Sequence, residues 1–197
     1  MPTPANVLDA LNAQVGMEFA ASLKYDSIAS YFAAESLPRL AGFYSNQATE
    51  ERAHAHRFMK FILDVGGRVK IPAISAVPWD FANPEAAAQL ALESEIAVTN
   101  SINNLYDLAT AAKDHATANM LQWFITEQVE EVAVAEQLLR IIQRGHVMED
   151  CMVTWLRDAG FDLRTRKADG EQFGFSVAEG RLQGHIDGVI VGGPEGF

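Results

Sequence analysis

The sequence predicts an all-α protein: a four-helix bundle with one long crossover, a short fifth helix and a glycine-rich C-terminal extension. In residues 1–159, four long segments place apolar side chains every three or four positions, which is the spacing of one helix face. Residues 160–197 instead hold nine of the fourteen glycines. We therefore divide the chain into a helical domain, residues 1–159, and an extension, residues 160–197.

Capping residues, prolines and glycines give the expected helix ends. Proline is tolerated in the first turn of a helix, polar residues cap its start, and glycine commonly ends it. The predicted helices are, in order, Pro4 or Ala5 to a residue before Pro38; an N-cap at Ser36 to Gly66 and Gly67; an N-cap at Asn83 followed by Pro84; Asp114 or His115 to Gly145; and a short fifth helix, His146 to Ala159.

The connection between the second and third helices decides the topology. Residues 67–83 contain Pro72 and Pro78 and several β-type side chains, which argue against helix. An extended segment of about 17 residues reaches at most about 55–60 Å, whereas a helix of about 29 residues is about 44 Å long. The segment is long enough to cross the whole bundle, so we expect parallel second and third helices between two antiparallel hairpins.

Each of the four apolar faces is interrupted near its middle by carboxylates. The interrupting residues and their neighbours are, helix by helix, Glu18; Glu50, Glu51 and His54; Glu95; and Glu127, Gln128, Glu130 and Glu131. Mid-helix positions fall at similar heights in this topology, so these side chains should converge. Burying an unpaired carboxylate is costly, and almost no basic residue lies on these faces. A divalent or trivalent cation would compensate, and carboxylate with imidazole suits iron and manganese.

The spacing of these residues matches a known type of metal site. Glutamates from two helices, with Glu-x-x-His elements from the others, hold the metals in di-iron carboxylate bundles. Only the second helix carries the full motif here, Glu51 to His54. Any one of the glutamates could be a surface residue, but the joint pattern favours ligands. Tyr25, two turns after Glu18, is expected in the core with its hydroxyl bonded to a ligand carboxylate; a redox role is the alternative.

In these segments the chain resembles the non-haem bacterial ferritins, over about residues 6–145. The matching segments are Leu11–Phe19, Gln47–His54, Leu92–Glu95 and Leu121–Glu131. The resemblance implies a ferroxidase centre inside each subunit. Its first iron position would use Glu18, Glu51 and His54. Its second would use Glu51, Glu95 and Glu131, with Gln128 close by and Tyr25 beside the centre. A third, weaker position would use Glu50, Glu127 and Glu130.

The resemblance also implies a function. We expect oxidation of Fe(II) by dioxygen or hydrogen peroxide, two to three iron ions per subunit site, and storage of Fe(III) as a mineral inside a hollow shell of 24 chains. Asp114 is a candidate for the entry channels, although a helix N-cap explains it equally well. The alternatives are a soluble di-iron oxidase without storage, a structural bundle, and a haem-binding bacterioferritin. Arg52 stands where bacterioferritins carry the haem-binding methionine, so we expect no haem.

The amino-acid composition limits the partners, the kinds of metal site and the cellular location that we expect for this protein. The net charge of -11 and the pI of about 4.8 disfavour nucleic acid and anionic membranes as partners. The single cysteine, Cys151, excludes a disulfide framework and any cysteine-cluster metal site. With no signal-like start and no long apolar run, a cytoplasmic location is expected.

The extension allows three interpretations. It could be a partly disordered tail, a pair of short strands packing on the shell, or a peptide that docks the protein to a larger compartment. Its apolar residues, such as Phe173, Phe175 and Val189, are numerous for a pure linker.

Overall fold

The structure is a computed structural model that describes residues 3–158, 162–164, 173–177, 182–186 and 189–192, and the side-chain packing of residues 3–145. Its helices are α1 Ala5–Ala34, α2 Pro38–Asp64, α3 Pro84–Ala111 and α4 His115–Asp158. They confirm the predicted four-helix bundle. Within the part of the chain that the structure describes, no helix is both long and apolar enough to cross a membrane.

The turn between α1 and α2 differs from the sequence prediction at one residue. Ser36 is not the N-cap of α2: its φ is 60°, and Leu37 occupies the cap position without a side-chain hydrogen bond. A short hairpin reverses the chain through a residue in the left-handed region, and Ser36 takes that conformation. The cap therefore moves one residue along, while Pro38 begins the helix as expected.

The far end of α2 and the start of α3 follow their local signals. Gly66 has a φ of 79°, and the N–H groups of Gly66 and Gly67 donate to the carbonyls of Leu63 and Ile62. These two bonds form a Schellman motif, in which glycine avoids the strain of the left-handed conformation. At α3, the Oδ1 atom of Asn83 accepts the Ala86 N–H at 2.8 Å, which confirms the predicted N-cap.

The crossover between α2 and α3 runs along α1. The Asn12 side chain donates to the Arg68 carbonyl at 3.1 Å and accepts the Lys70 N–H at 2.5 Å. Further along, the ring of Pro72 lies against Gly16, where a Cβ atom would come within 2.2 Å of it. Later in the segment, Ser27 donates to the Pro78 carbonyl.

Successive contacts of the crossover thus climb α1 from residue 12 to residue 27. The segment returns the chain to the end of the bundle where α2 began, so α2 and α3 run parallel, as predicted.

The bundle core consists of layers. One apolar layer joins the N-terminal half of α1, the C-terminal parts of α2 and α3, and the start of α4; its buried members include Leu11, Val15, Phe58, Ile62, Ile102 and Phe124. A second group of buried side chains, toward the α1–α2 turn, includes Ile28, Phe32, Tyr44 and Ala88. Along each of α1, α2 and α3, the central glutamate lies between residues of the first apolar group and residues of the second. The bundle therefore encloses them from both ends.

The fourth helix corrects another prediction. α4 does not end at Gly145 but continues to Asp158, so residues 146–158 are helical without forming a separate fifth helix. Ala159, its predicted last residue, lies outside the described residues. Glycine weakens a helix interior by about 1 kcal/mol relative to alanine, which is too little to end a long helix by itself. Gly145 does not adopt a positive φ, so the conformation that would end the helix is absent there.

The extension contains four short strands, β1 Asp162–Arg164, β2 Phe173–Val177, β3 Leu182–Ile186 and β4 Val189–Gly192. β1 pairs with β4 and β2 with β3, both antiparallel. Strands are therefore present, as one of the three interpretations required; packing on a shell and docking to a compartment stay predictions. The chain forms two compact units, Met1–Leu139 and Arg140–Phe197, and the domain boundary predicted after residue 159 stays a prediction.

Candidate metal centre

Three potential ligands meet at the middle of the bundle. Glu18 comes from α1, and Glu51 and His54 come from α2, where a spacing of three residues places both on one helix face. One ligand atom of each residue lies within 4.8 Å of the other two. All three side chains are buried, and the two glutamates are 0% exposed. The His54 Nδ1 atom lies 3.6 Å from Oε1 of Glu51.

Several polar atoms of this cluster make no hydrogen bond to any residue that the structure describes. They are Oε2 of Glu18, both carboxylate oxygens of Glu51, Nδ1 of His54 and Oε2 of Glu95. Buried polar atoms are nearly always paired, and each one left unpaired costs about 1–3 kcal/mol. The unpaired atoms are all of types that bind metal ions. The cluster therefore has the donor set of a cation site.

The third-helix glutamate is held by a tyrosine. The Tyr25 hydroxyl donates to Oε1 of Glu95 at 2.5 Å, and Tyr25 is 3% exposed. The expected core position of Tyr25 and its bond to a glutamate are thus confirmed. Gln128 also lies beside Glu95: its Oε1 accepts the Thr99 hydroxyl at 2.8 Å, and its hydrogen bond to Glu95 favours the charged form of that glutamate.

Burial makes the carboxyl groups of the centre weak acids. It raises the pKa of Glu51 to about 8, and the charges of Glu95 and Glu131 add to the effect. Burial, followed by repulsion from Glu95, raises the pKa of Glu131 to about 7. The pKa of Glu18 is raised well above its usual value by burial and then by Glu51. The pKa of Glu95 is also raised by burial, against the hydrogen bonds from Tyr25 and Gln128.

The fourth-helix glutamates are linked to α2 through an amide. The Gln47 side chain donates to Oε2 of Glu50 at 2.5 Å and to Oε2 of Glu131 at 3.3 Å. Glu131 is buried, Glu127 is half-buried, and Glu130 and Glu50 are exposed.

The structure does not bring all of the predicted ligands together equally. Among the described residues, only Glu18, Glu51 and His54 form a group of three ligand atoms within 4.8 Å of one another. Glu95 and Glu131 act on the pKa of Glu51 but lie outside that group. The predicted third set, Glu50, Glu127 and Glu130, does not form such a group either; both further iron positions stay predictions.

This geometry agrees with the comparison to known proteins. The Ferritin-like domain family matches residues 8–145, which is more than half of the chain. The chain belongs to the ferritin family. It is 39% identical to Ferritin BfrB of Mycolicibacterium smegmatis over 162 residues, covering 80% of this chain and 89% of that protein. It is 35% identical to the bacterial non-heme ferritin of Staphylococcus aureus (strain MRSA252), covering 84% of this chain and 98% of that protein.

The solved structures give the same family. The open pore ferritin of the hyperthermophilic archaeon Archaeoglobus fulgidus superposes with a TM-score of 0.70 at 35% identity, covering 72% of this chain and 86% of that one. These values confirm the resemblance and the fold that the sequence predicted.

Two polar residues that hold Glu18 in place, Gln14 and Ser101, were not predicted from the sequence. Gln14 is 1% exposed; its Nε2 donates to Oε1 of Glu18 at 2.8 Å, and its Oε1 accepts the Ser101 hydroxyl at 2.5 Å. Because an ionised carboxylate only accepts hydrogen bonds, the amide nitrogen faces Glu18, and this leaves the amide oxygen to accept from Ser101. One oxygen of Glu18 is thereby fixed and the other stays unpaired. A polar side chain one turn before Glu18 on the same face was the available signal.

Aromatic side chains fix the imidazole. The rings of Trp123 and Phe124 meet the His54 ring edge-on at 5.5 and 5.7 Å. The guanidinium carbon of Arg57 lies 3.7 Å from the Trp123 ring centroid, a cation–π contact. Trp123 therefore packs directly beside the centre. Arg52 is half-exposed and pairs with Asp26 at 3.2 Å.

The candidate channel residue caps a helix. Asp114 precedes α4, and its Oδ1 and Oδ2 atoms accept the N–H and hydroxyl of Thr117 at 3.2 and 2.7 Å. Burial alone would raise the pKa of Asp114, but the hydrogen bonds from Thr117, Thr3 and the Ala116 N–H together outweigh it and lower the pKa. The N-cap interpretation is therefore confirmed, and the channel role stays a prediction.

Proposed function

We propose that this ferritin-family protein stores iron: it oxidises Fe(II) at the buried carboxylate centre and keeps Fe(III) as a mineral inside a hollow homo-oligomeric shell. The observation that carries the proposal is the set of unpaired ligand atoms of Glu18, Glu51, His54 and Glu95 inside the bundle. No buried Lys or Arg occurs within residues 3–145. The half-buried Lys24 favours the charged form of Glu95, but burial outweighs it and the pKa of Glu95 stays raised. Fe(II) supplies both the missing charge and the missing partners.

The residues divide into three positions. In the first, Glu18, Glu51 and His54 hold one Fe(II). In the second, Glu51, Glu95 and Glu131 hold another, with Gln128 nearby. In the third, Glu50, Glu127 and Glu130 bind iron more weakly. The close approach of three ligand atoms supports the first position. Electrostatic coupling among Glu51, Glu95 and Glu131 supports the second.

The reaction is a two-electron transfer from two metal ions. Two Fe(II) ions each lose one electron to become Fe(III), and one dioxygen takes both electrons and two protons to become hydrogen peroxide; peroxide is the alternative oxidant. The protein holds the ions, neutralises their charge and supplies protons. Since burial raises the pKa of Glu51 to about 8, binding Fe(II) displaces protons from the centre near neutral pH.

The relatives support the wider assignment. Matching proteins are named ferritin and bacterial non-heme ferritin, which favours storage without haem in a shell of 24 chains. We place the protein in the cytoplasm, with no nucleic-acid or membrane partner. The acidic net charge of -11 steers cations toward such a shell.

Aerobic loading with Fe(II) tests the proposal. Iron per chain is measured in the assembled peak after gel filtration. Far more iron than the ligand sites could hold supports a stored mineral. A plateau near two or three ions per chain would leave oxidation intact but reject storage, in favour of a di-iron oxidase. No iron in the peak and no oxidation would reject both.

A further inference from the structure

A small cavity adjoins the metal centre on the side away from His54. It lies among all four helices, and its walls include Tyr25 and Glu131, the aromatic rings of Phe43 and Tyr44, and the small side chains of Ala91 and Ala135. It extends along α4 from Glu131 to Leu138, two helical turns, or about 10 Å. It has room for about one water-sized molecule.

The packing explains why space remains there. Tyr44 stacks on Phe32 at 5.3 Å and on Tyr25 at 5.9 Å, so two aromatic neighbours hold its ring in place. The α3 and α4 walls include two alanines, Ala91 and Ala135, whose side chains are too short to fill the gap left beside Val134 and Leu138. A rigid aromatic wall facing small residues leaves a permanent space.

The chemistry of the cavity walls determines which kind of molecule can enter it. Most of the lining is apolar, and two of its polar residues already use their donors. The Tyr25 hydroxyl donates to Glu95, and the Gln47 amide donates to Glu50 and Glu131. A hydrated cation or a hydrogen peroxide molecule would lose hydrogen bonds on entering such a space, whereas an apolar diatomic molecule loses none.

We propose that this cavity is a dioxygen site that delivers the oxidant to the Glu131 side of the metal centre. The proposal rests on the proposed function, because only there is dioxygen a reactant. Glu131 belongs both to the cavity wall and to the proposed second iron position. Dioxygen held there meets the second iron position first, whereas the first position lies beyond it, toward His54.

Filling the cavity tests the assignment. Ala135→Leu adds bulk inside it, and Ala133→Leu makes the same change at an exposed position on the same helix. Initial rates of Fe(II) oxidation are measured in the assembled protein over a range of dioxygen concentrations. We expect Ala135→Leu to raise the KM for dioxygen roughly tenfold, the order of effect of one misfit group in an apolar pocket, with kcat and anaerobic Fe(II) binding unchanged. Ala133→Leu should match the wild type.

Two results would overturn the proposal. One is an unchanged KM for dioxygen in Ala135→Leu. The other is an equal slowing with hydrogen peroxide as oxidant, which would mean that the substitution disturbs the metal ligands instead. If Ala135→Leu does not assemble, crystals of the iron-free wild type pressurised with dioxygen decide: dioxygen density in the cavity supports the site, and its absence rejects it. This measurement needs no iron oxidation, so it also separates failure of the dioxygen site from failure of the ferroxidase function.

Discussion

The bundle contains two neighbouring layers that are buried to the same extent but built from opposite chemistry. The carboxylate layer consists of Glu18, Glu51, Glu95, Glu131 and His54. The apolar layer consists of the cluster that includes Leu11, Phe58, Ile62, Ile102 and Phe124. Glu18 and Glu51 are as inaccessible as Leu11 and Phe58, all at 0% exposure.

The comparison separates what stabilises the fold from what gives it a function. Burying apolar surface stabilises the folded chain by about 25 cal/mol per Å², whereas burying carboxylates without a cation opposes folding. Substitutions in the apolar layer should therefore change stability and leave the chemistry intact. Substitutions in the carboxylate layer should do the reverse.

The largest effect is expected at Glu51, which the first and second proposed iron positions share. Glu51→Gln keeps the shape and removes the charge. Fe(II) oxidation should slow by more than about a hundredfold, because even residues that only support a ligand cost about 10–100-fold. The thermal midpoint of the metal-free protein should not fall, since a neutral amide replaces a buried carboxyl group whose ionisation opposes folding.

The matched control is Glu93→Gln, an exposed glutamate on α3. Stopped-flow oxidation rates should not distinguish it from the wild type. A Glu51→Gln protein that oxidises iron at the normal rate would contradict the shared-ligand assignment.

The apolar layer should show the opposite pattern. Leu11→Ala removes a fully buried side chain, so the free energy of unfolding should fall by about 2–5 kcal/mol. Guanidinium denaturation followed by circular dichroism measures this, and Leu63→Ala, at a position 61% exposed, is the control. The oxidation rate per folded chain should not change. A lost rate with unchanged stability would show that the two layers are not separable in this way.

A smaller effect is expected at Gln14, which is not a proposed ligand but donates a hydrogen bond to the proposed ligand Glu18. Gln14→Leu removes the donor that fixes Glu18, so the affinity for Co(II), read from its visible spectrum, should fall by about 10–100-fold. Gln122→Leu, on the exposed side of α4, should bind Co(II) normally. Ser101→Ala frees the Gln14 amide to rotate and should weaken binding less than Gln14→Leu does. Equal Co(II) affinity in all of these variants would remove Gln14 from the centre.

The most gradual effect is on pH dependence. The pKa of Glu51 is raised from 4.5 unfolded to about 8 folded, so the folded state binds the extra proton between these values. The contribution of this group to the stability of the metal-free protein should therefore be greatest below pH 4.5 and should decline as pH rises from there toward 8. The decline is at most about 1.4 kcal/mol per pH unit for each group.

Thermal melts across pH 5–8 in the presence of a chelator measure this slope. Glu51→Gln should make the slope shallower, since only the other raised carboxyl groups then contribute. Saturating Zn(II) should reverse the slope, because the ion stabilises the charged carboxylates. A metal-free protein whose stability rises over this range would contradict the raised pKa values.

Local signals in the sequence determined most of the fold. The apolar spacing gave the four helices, Asn83 and Gly66 gave the cap and stop around the crossover, and the length of the crossover gave parallel α2 and α3. The glutamates at the helix middles also predicted that Glu18, Glu51 and His54 would meet. Each of these features depends on residues within a few turns, or on the simple geometry of four antiparallel or parallel rods.

Tertiary structure decided the rest. Ser36 lost its predicted cap role because the hairpin needed a left-handed residue, and Gly145 did not end α4, since a glycine only weakens a helix. Ser101 fixes Gln14 across 87 positions of sequence, and Gln47 reaches Glu131 across 84. Such contacts depend on how far each helix rotates about its axis, and a rotation of a few tens of degrees would break them without altering any local pattern. The cavity beside Glu131 exists for the same reason, because it is the space that four particular helix faces leave between them.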